Sequence, residues 1–282
     1  TRSRAYVQVQ NGCDHRCTYC IIPFARGPNR SVAIDAIIAQ VRGLVDARYL
    51  EVVLTGVDIC SYGADVSGTP DLAGLISQLL AAVPGLARLR LSTVDPAVVD
   101  EALIRLLAEE ERLMPHLHLS QQAMDDVVLK RMKRRHLRAD ALDLVARLRQ
   151  HRPDLALGAD LIAGFPTETE QHHAANLAII RKLQIVHCHV FPYSPRPGTP
   201  AARMPQVDRA TIKRRAADLR DTARTTRDAW LSTLVEKPHA VLAERDGTGY
   251  TPHFARCSLP DGTVPGTIVT VTPSKHENGL LE

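Results

Sequence analysis

Cys13-Asp14-His15-Arg16-Cys17-Thr18-Tyr19-Cys20 places three thiols at C-x3-C-x2-C spacing, directly after the strand-like run Ala5–Gln10. A disulfide framework would spread its pairs along a small secreted chain, whereas three thiols this close, with no secretion signal in view, read as a metal site in a reducing compartment. The other cysteines, Cys60, Cys188 and Cys257, are scattered and read as free thiols. A structural zinc site wants four ligands, usually as two separated pairs, and no second C-x2-C exists. His15 lies inside the first loop of the motif, an awkward place from which to close a tetrahedron. Three thiolates instead suit three irons of a [4Fe-4S] cluster, leaving the fourth iron open for the amino and carboxylate groups of S-adenosylmethionine (SAM).

Outward from the motif, a strand-then-helix rhythm repeats. Candidate strands are Ala5–Gln10, Glu51–Thr55, Arg88–Ser92, His116–Leu119, Leu155–Ile162 and Val186–Phe191, read as apolar strands covered on both faces. Helical patterns fill the gaps at Val32–Ala47, Asp71–Ala82, Pro96–Ala108, Ala139–His151 and Glu170–Lys182. Six such units favour a parallel barrel or part of one, with chemistry at the C-terminal ends of the strands, where the cysteine motif falls. A proline-rich loop follows Phe191, and Asp208–Val235 reads as one long basic helix. From there the pattern changes to short strands, Ala240–Ala243 and Thr267–Val271, with Asp246-Gly247 and Asp261-Gly262 as turns. The expected domains are therefore 1–236 and 237–282, with a boundary near 236–238.

The 282 residues suffice for one large domain plus a small module. Apolar residues make up 45%, enough for a sizeable core, while aromatics at 4% disfavour a broad base-stacking platform. Net charge is +4, which permits a polyanionic partner without demanding one. No apolar run is long enough for a membrane-spanning helix. A cytoplasmic protein is expected.

The cysteine motif and its flanks, Asn11-Gly12-Cys13 and Cys20-Ile21-Ile22-Pro23-Phe24-Ala25-Arg26-Gly27, resemble the radical SAM methylthiotransferases. Among their branches the chain is most similar to those acting on tRNA N6-threonylcarbamoyladenosine. The supporting segments are Leu54–Asp58, Met114–Leu119, Leu129–Met132, Gly164–Thr169 and His189–Ala201. The resemblance implies an α/β fold, a partial (β/α)6 radical SAM barrel followed by a small TRAM-like β-barrel that binds RNA. It implies Cys13, Cys17 and Cys20 as cluster ligands, and Tyr19, Thr55, Gly56, Gln122, Asp160 and Phe191 as contacts to SAM or substrate. The bland reading of Gln122 and Asp160 is satisfied strand ends, and that of Phe191 is core. The resemblance also implies an N-terminal domain with a second, auxiliary [4Fe-4S] cluster, expected to be absent from this chain.

The run Lys130-Arg131-Met132-Lys133-Arg134-Arg135 is strongly positive, and Arg203, Arg209, Lys213, Arg214, Arg215 and Arg220 continue the theme. Charge runs are usually solvated faces. With the resemblance, Lys130, Arg131, Lys133, Arg134 and Arg135 are expected to meet RNA, joined by Phe254 and Arg256 (with Tyr250 and His253) on the C-terminal module. The expected partners are a tRNA anticodon stem-loop and an electron donor such as flavodoxin or ferredoxin. The expected activity is insertion of a methylthio group at C2 of the adenosine at position 37. The rival readings are a methylthiotransferase for isopentenyladenosine or a ribosomal-protein aspartate, a non-catalytic RNA binder with a structural metal, and an inactive remnant. One departure stands out. In Ser120-Gln121-Gln122-Ala123-Met124, Gln121 occupies an apolar position of the family pattern and Met124 a glycine position, so strain is expected at Met124 if that position needs a positive φ.

Overall fold

The computed structural model describes residues 3–282. Six parallel strands follow one another in chain order: β1 (Arg4–Gln8), β2 (Glu51–Thr55), β3 (Arg88–Leu91), β4 (His116–Gln122), β5 (Ala156–Ala163) and β6 (Ile185–Pro192). β1 to β3 form one sheet and β4 to β6 another. The chain links them just past Ser92, where Thr93–Val94 pairs in parallel with β4. Among the described residues no pairing closes β6 onto β1, so the barrel is open on that side.

Helices α1 (Ile34–Asp46), α2 (Leu72–Ala82), α3 (Glu101–Glu109), α4 (Arg138–His151) and α5 (Glu170–Lys182) connect the strands, and α6 (Arg209–Ser232) follows β6. Aspartates supply several of the starts. Asp71 accepts from the Gly74 amide at 2.8 Å, Asp100 from Leu103 at 2.8 Å and Asp208 from Thr211 at 2.9 Å. Each satisfies one of the amides that a first helical turn leaves unpaired.

The strands are not apolar on both faces, as their composition suggested. Val7, Val52, Leu54, Leu89, Leu117, Leu119, Leu157 and Leu161 are buried in one core against the helices. The alternate positions, including Glu51, Arg88, Arg90, His116, His118, Asp160, His187 and His189, face the barrel interior. A strand alternates its side chains between two surfaces. Here one surface meets hydrocarbon and the other meets a polar cavity.

At the lower end of the interior, Glu51 is completely buried. Its carboxylate receives Arg4 at 3.2 Å, Arg90 at 3.2 Å and Arg88 at 3.8 Å. The same arginines reach into the C-terminal unit, where Arg88 donates to the Ala240 carbonyl at 2.6 Å and Arg90 to Pro252 at 2.9 Å. That unit is a six-stranded mixed sheet built from β7 (His239–Ala243), β8 (Thr248–Tyr250), β9 (Arg256–Ser258), β10 (Ile268–Val271), β11 (His276–Glu277) and β12 (Leu280–Leu281), in the order β10-β7-β8-β9-β12-β11. Only β9 and β12 run parallel. Phe254 enters the barrel floor, with ring centroids 5.1 Å from His116 and 5.9 Å from His187, and is stacked on Tyr250 at 4.8 Å. The Arg4 and Arg90 guanidinium groups lie over its ring at 5.0 and 4.8 Å. Phe254 therefore plugs the barrel, which corrects the expectation that it faces RNA.

Burying three guanidinium groups is tolerable only while their shared carboxylate is ionised, since an unpaired buried charge is far costlier than a lost contact. Glu51→Gln is expected to destabilise the chain by about 3–5 kcal/mol, read as a fall in the urea midpoint. A variant of unchanged midpoint would show that the arginines are neutralised in some other way.

Candidate cluster and substrate site

The loop carrying the three cysteines begins where β1 ends. Val9 donates to Thr55 at 2.9 Å, after which Gln10–Asn11 turns away from the barrel to pair with Arg30–Ser31 in a two-residue antiparallel ladder. Gln10 is fully buried and acts as the brace of the loop. Its amide nitrogen donates to the Gly12 carbonyl at 2.7 Å and to Asn29 Oδ1 at 2.6 Å, and its Oε1 accepts from the Asp58 amide at 2.8 Å. Gly56 permits this contact, because a Cβ there would sit 2.8 Å from Gln10 Oε1. Gly12 has φ +75°, and a Cβ on it would lie 1.8 Å from the Pro28 carbonyl oxygen. The loop is closed by the Cys13 amide, which donates to Gly27 at 3.1 Å.

The middle of the loop is fastened to the far side of the barrel. The Thr18 amide and hydroxyl donate to the Met132 and Arg131 carbonyls at 3.1 and 2.8 Å, and its carbonyl accepts from Ala201 at 2.9 Å. Tyr19 then packs edge-on to Phe165 at 6.4 Å, beside a small apolar cluster that includes Met132, Ile162 and Tyr193. Burial pushes its phenol well above the ordinary range.

The three thiols converge and influence one another. Burial pushes Cys13 up to about 11, and Asp58, Cys17 and Cys20 raise it further against the His15 amide, which lies 3.4 Å from its sulfur. Burial also raises Cys20. Three thiolates in one place are unfavourable alone and are stabilised by a bound cationic centre. Donors already face the sulfurs, with Arg134 Nη1 3.8 Å from Cys17 Sγ. Amide and guanidinium donors aimed at thiolate sulfur are a usual feature of iron–sulfur sites. The donor set therefore fits a cluster with three protein ligands. His15 Nε2 is paired with Asp58 at 2.8 Å, and Asp58 also accepts from Ser61 at 2.7 Å, so Cys13, His15 and Asp58 stand close enough to share a single metal ion.

Arg134 is a functional neighbour that sequence reasoning misassigned. It was expected to meet RNA, but its side chain is nearly buried, bound to Asp95 at 3.2 Å and to the Ser120 carbonyl at 2.8 Å. Asp95 also takes Arg135 at 3.1 Å and the Ala97 amide at 3.0 Å. Burial works against its ionisation, but His136 and these cations hold its carboxyl well below the usual range. Lys130, Arg131, Lys133 and Arg135 remain exposed, with Arg131 donating to Thr167 Oγ1 at 2.7 Å. Arg256 is exposed and pairs with Asp246 at 2.8 Å. On α6, Arg215 leaves the basic face altogether, buried against Glu168 and Glu170 at 3.2 and 2.7 Å.

Deeper in the barrel, Asp160 Oδ1 accepts from His118 Nε2 at 3.0 Å and from His189 Nδ1 at 3.1 Å. Burial pushes its carboxyl up, and the two imidazoles outweigh that and bring it down to about 2. Asp160, expected either as a polar contact to SAM or substrate or as a satisfied strand end, thus lies in a His–Asp–His group. Thr55 Oγ1 faces the Val7 carbonyl at 3.3 Å. Gln122 ends β4 at φ 65° and Phe191 is half-exposed on the inner face of β6. Met124 carries no strain, because the positive φ falls two residues earlier. It is buried in the core, its amide donating to Asn176 at 2.7 Å. Gln121 is also buried, and its amide group meets His136 Nε2 at 3.0 Å and the Ala123 carbonyl at 3.1 Å. A hydrogen-bonded pair replaces the apolar contact expected there.

Gly12→Ala tests the loop. The clash with Pro28 and the positive φ are expected to open the loop without touching the barrel core. Iron bound after anaerobic reconstitution should fall by at least about fivefold while far-UV circular dichroism is unchanged. Full iron content would show that the loop has more slack than its packing indicates.

The Radical SAM superfamily profile matches residues 7–178. The chain is 47% identical over 281 residues to the threonylcarbamoyladenosine tRNA methylthiotransferase MtaB of Rickettsia prowazekii, covering all of this chain and 67% of that protein. A protein of the same name from Chlamydia pneumoniae is 35% identical, covering 99% of this chain and 68% of that protein. The tRNA-2-methylthio-N(6)-dimethylallyladenosine synthase of Maricaulis maris is 36% identical, covering 86% of this chain and 55% of that protein. The chain thus spans about half to two thirds of the length of these relatives. Among solved structures, the radical S-adenosylmethionine methyltransferase TsrM from Kitasatospora setae has a TM-score of 0.56 at 18% identity, over 70% of this chain and 36% of that one. Methylornithine synthase (PylB) has 0.56 at 15%, over 79% and 63%. Those two likenesses speak for the fold, and the close relatives for the branch. The chain belongs to the radical SAM superfamily and, within it, to the methylthiotransferase family.

Proposed function

We propose that this chain is the radical-generating part of an enzyme that installs a methylthio group at C2 of N6-threonylcarbamoyladenosine in tRNA, at position 37 beside the anticodon. The observation that carries this reading is the grouping of Cys13, Cys17 and Cys20 on one braced loop, in a chain whose whole length aligns with a protein of that named activity. When bound, a [4Fe-4S] cluster and SAM supply an adenosyl radical able to remove a hydrogen atom from an unactivated carbon.

The chain's own residues do the positioning. Cys13, Cys17 and Cys20 would hold three irons of the cluster, and the Gln10 brace fixes the direction of the loop. Arg134 and the His15 amide donate toward the sulfurs of Cys17 and Cys13, which favours negative charge there. Tyr19, Thr55, Gly56, Gln122 and Phe191 would border SAM at the upper rim. The apolar cluster around Phe165 and Tyr193 keeps water from the rim behind Tyr19. The barrel's catalytic share is orientation, holding a target carbon near the radical carbon.

On this reading, Lys130, Arg131, Lys133 and Arg135 meet phosphates of the anticodon stem-loop, and Arg256 extends that surface onto a TRAM-like C-terminal module. A loop nucleotide can enter the barrel without opening a long duplex. Residues 1–236 form the catalytic domain and 237–282 the module. The source of the sulfur is an auxiliary [4Fe-4S] cluster on a further domain, and a small electron-transfer protein such as flavodoxin or ferredoxin supplies the electron. The enzyme works in the cytoplasm; no helix among the described residues is long and apolar enough to cross a membrane.

Deletion of the encoding gene followed by nucleoside analysis of bulk tRNA tests the substrate. The methylthio form of threonylcarbamoyladenosine is expected to disappear, to return with the wild-type gene and to stay absent with Cys17→Ser. Loss of the methylthio form of the isopentenyl nucleoside would overturn the choice in favour of the dimethylallyl branch.

A further inference from the structure

We propose that His189 selects the substituent on N6 of the target adenosine, donating its Nε2–H to the carboxylate of a threonylcarbamoyl group; this rests on the substrate reading above. The two kinds of relative bear names that differ in this one substituent. A threonylcarbamoyl group carries a carboxylate, a hydroxyl and a urea. A dimethylallyl group is hydrocarbon and offers nothing to hydrogen-bond. Discrimination between them calls for a polar donor that is satisfied by one and left unpaired by the other.

The inner face of the barrel has several cations, and the structure shows which of them is available. Arg88 and Arg90 are spent on Glu51 and the module. Arg4 is held between Glu51 and Glu244, each at 3.2 Å. Arg134 is held by Asp95 and Ser120. His116 and His187 are kept neutral by burial, the latter with a pKa of about 4. His189 differs from all of these. Its side chain is 64% exposed to the open interior, and its Nε2 has no protein partner among the described residues.

The rest of the His–Asp–His group explains why that nitrogen is a donor. His118 is nearly buried against β5, where Gly158 makes room for it. A Cβ on Gly158 would stand 2.2 Å from His118 Nδ1. This locks the His118–Asp160 hydrogen bond and fixes the Asp160 carboxylate. Asp160 in turn holds His189 by Nδ1, which directs its Nε2 edge away from Asp160. The Asp160 hydrogen bond and charge favour the imidazolium against the opposing effect of burial. The arrangement is that of a ring oriented by a carboxylate on one nitrogen so that the other is presented to a ligand. The neighbours suit a base. Phe191 is 6.4 Å away, edge-on, and half-exposed, and Tyr6 on β1 is likewise half-exposed. Both offer uncovered ring surface on which an adenine can stack.

The test is binding of three anticodon stem-loop RNAs that differ only at position 37 (threonylcarbamoyladenosine, isopentenyladenosine or adenosine). They are titrated by fluorescence anisotropy against the cluster-reconstituted protein at pH 7. Wild type is expected to prefer the threonylcarbamoyl loop. His189→Leu is expected to lose about tenfold for that loop alone, the scale of one charge-assisted hydrogen bond. His189→Gln, which keeps a donor, is expected to recover part of the loss. Unchanged binding of the other two loops shows that His189→Leu is folded. Preference that survives His189→Leu, or equal weakening of all three loops, overturns the role of His189 alone. No preference in wild type overturns the substrate reading and this proposal with it.

Discussion

Three thiols are held within mutual electrostatic reach by a loop whose imidazole is tied to Asp58, and the rest of the upper rim depends on that arrangement. Burial and the neighbouring thiols make the Cys13 and Cys20 thiolates costly in isolation. The backbone nonetheless spends a buried glutamine, a left-handed glycine and a strand bridge on keeping them together. The nearest imidazole, His15, is paired with Asp58. A site of this kind leaves one metal position for a small ligand.

The barrel divides its polar interior by depth. At the floor, the Glu51 carboxylate is shared by three arginines, and the C-terminal module covers them with Glu244, carbonyl oxygens and two aromatic rings. At mid-height, the histidines of β4 and β6 meet on Asp160. At the rim, Asp95 holds Arg134 toward Cys17. The module is therefore more than an appendage, since Phe254 and the Pro252 carbonyl complete the solvation of the floor. Its docking and the barrel's stability are one energetic unit.

Much of the frame was legible in the sequence. The six strands lie within a few residues of their expected positions, because short branched runs punctuated by aspartate-capped helices admit few other readings. The cysteine loop was legible because thiols at that spacing have few structural uses. What failed did so for one physical reason: charge in a sequence does not say which way it points. Arg134 and Arg215 read as part of a basic surface for RNA and are buried partners of Asp95 and Glu168. Phe254 was expected on the RNA face of the module and packs at the barrel floor. The alternation His116-Leu117-His118-Leu119 did carry a signal of one polar and one apolar face. Met124 looked strained by comparison with a glycine pattern, but the turn places its left-handed residue at Gln122. Gln10 had no sequence signal apart from being polar at the end of an apolar strand.

The central claim is that one iron is left to SAM. Electron–nuclear double resonance of the reduced cluster, with SAM labelled at its amino nitrogen and carboxylate oxygens, tests it most directly. Hyperfine coupling to both labels is expected, present in wild type and absent without SAM. Coupling to a protein imidazole nitrogen instead, with no coupling to either label, would show a fully capped cluster and contradict the enzymatic reading.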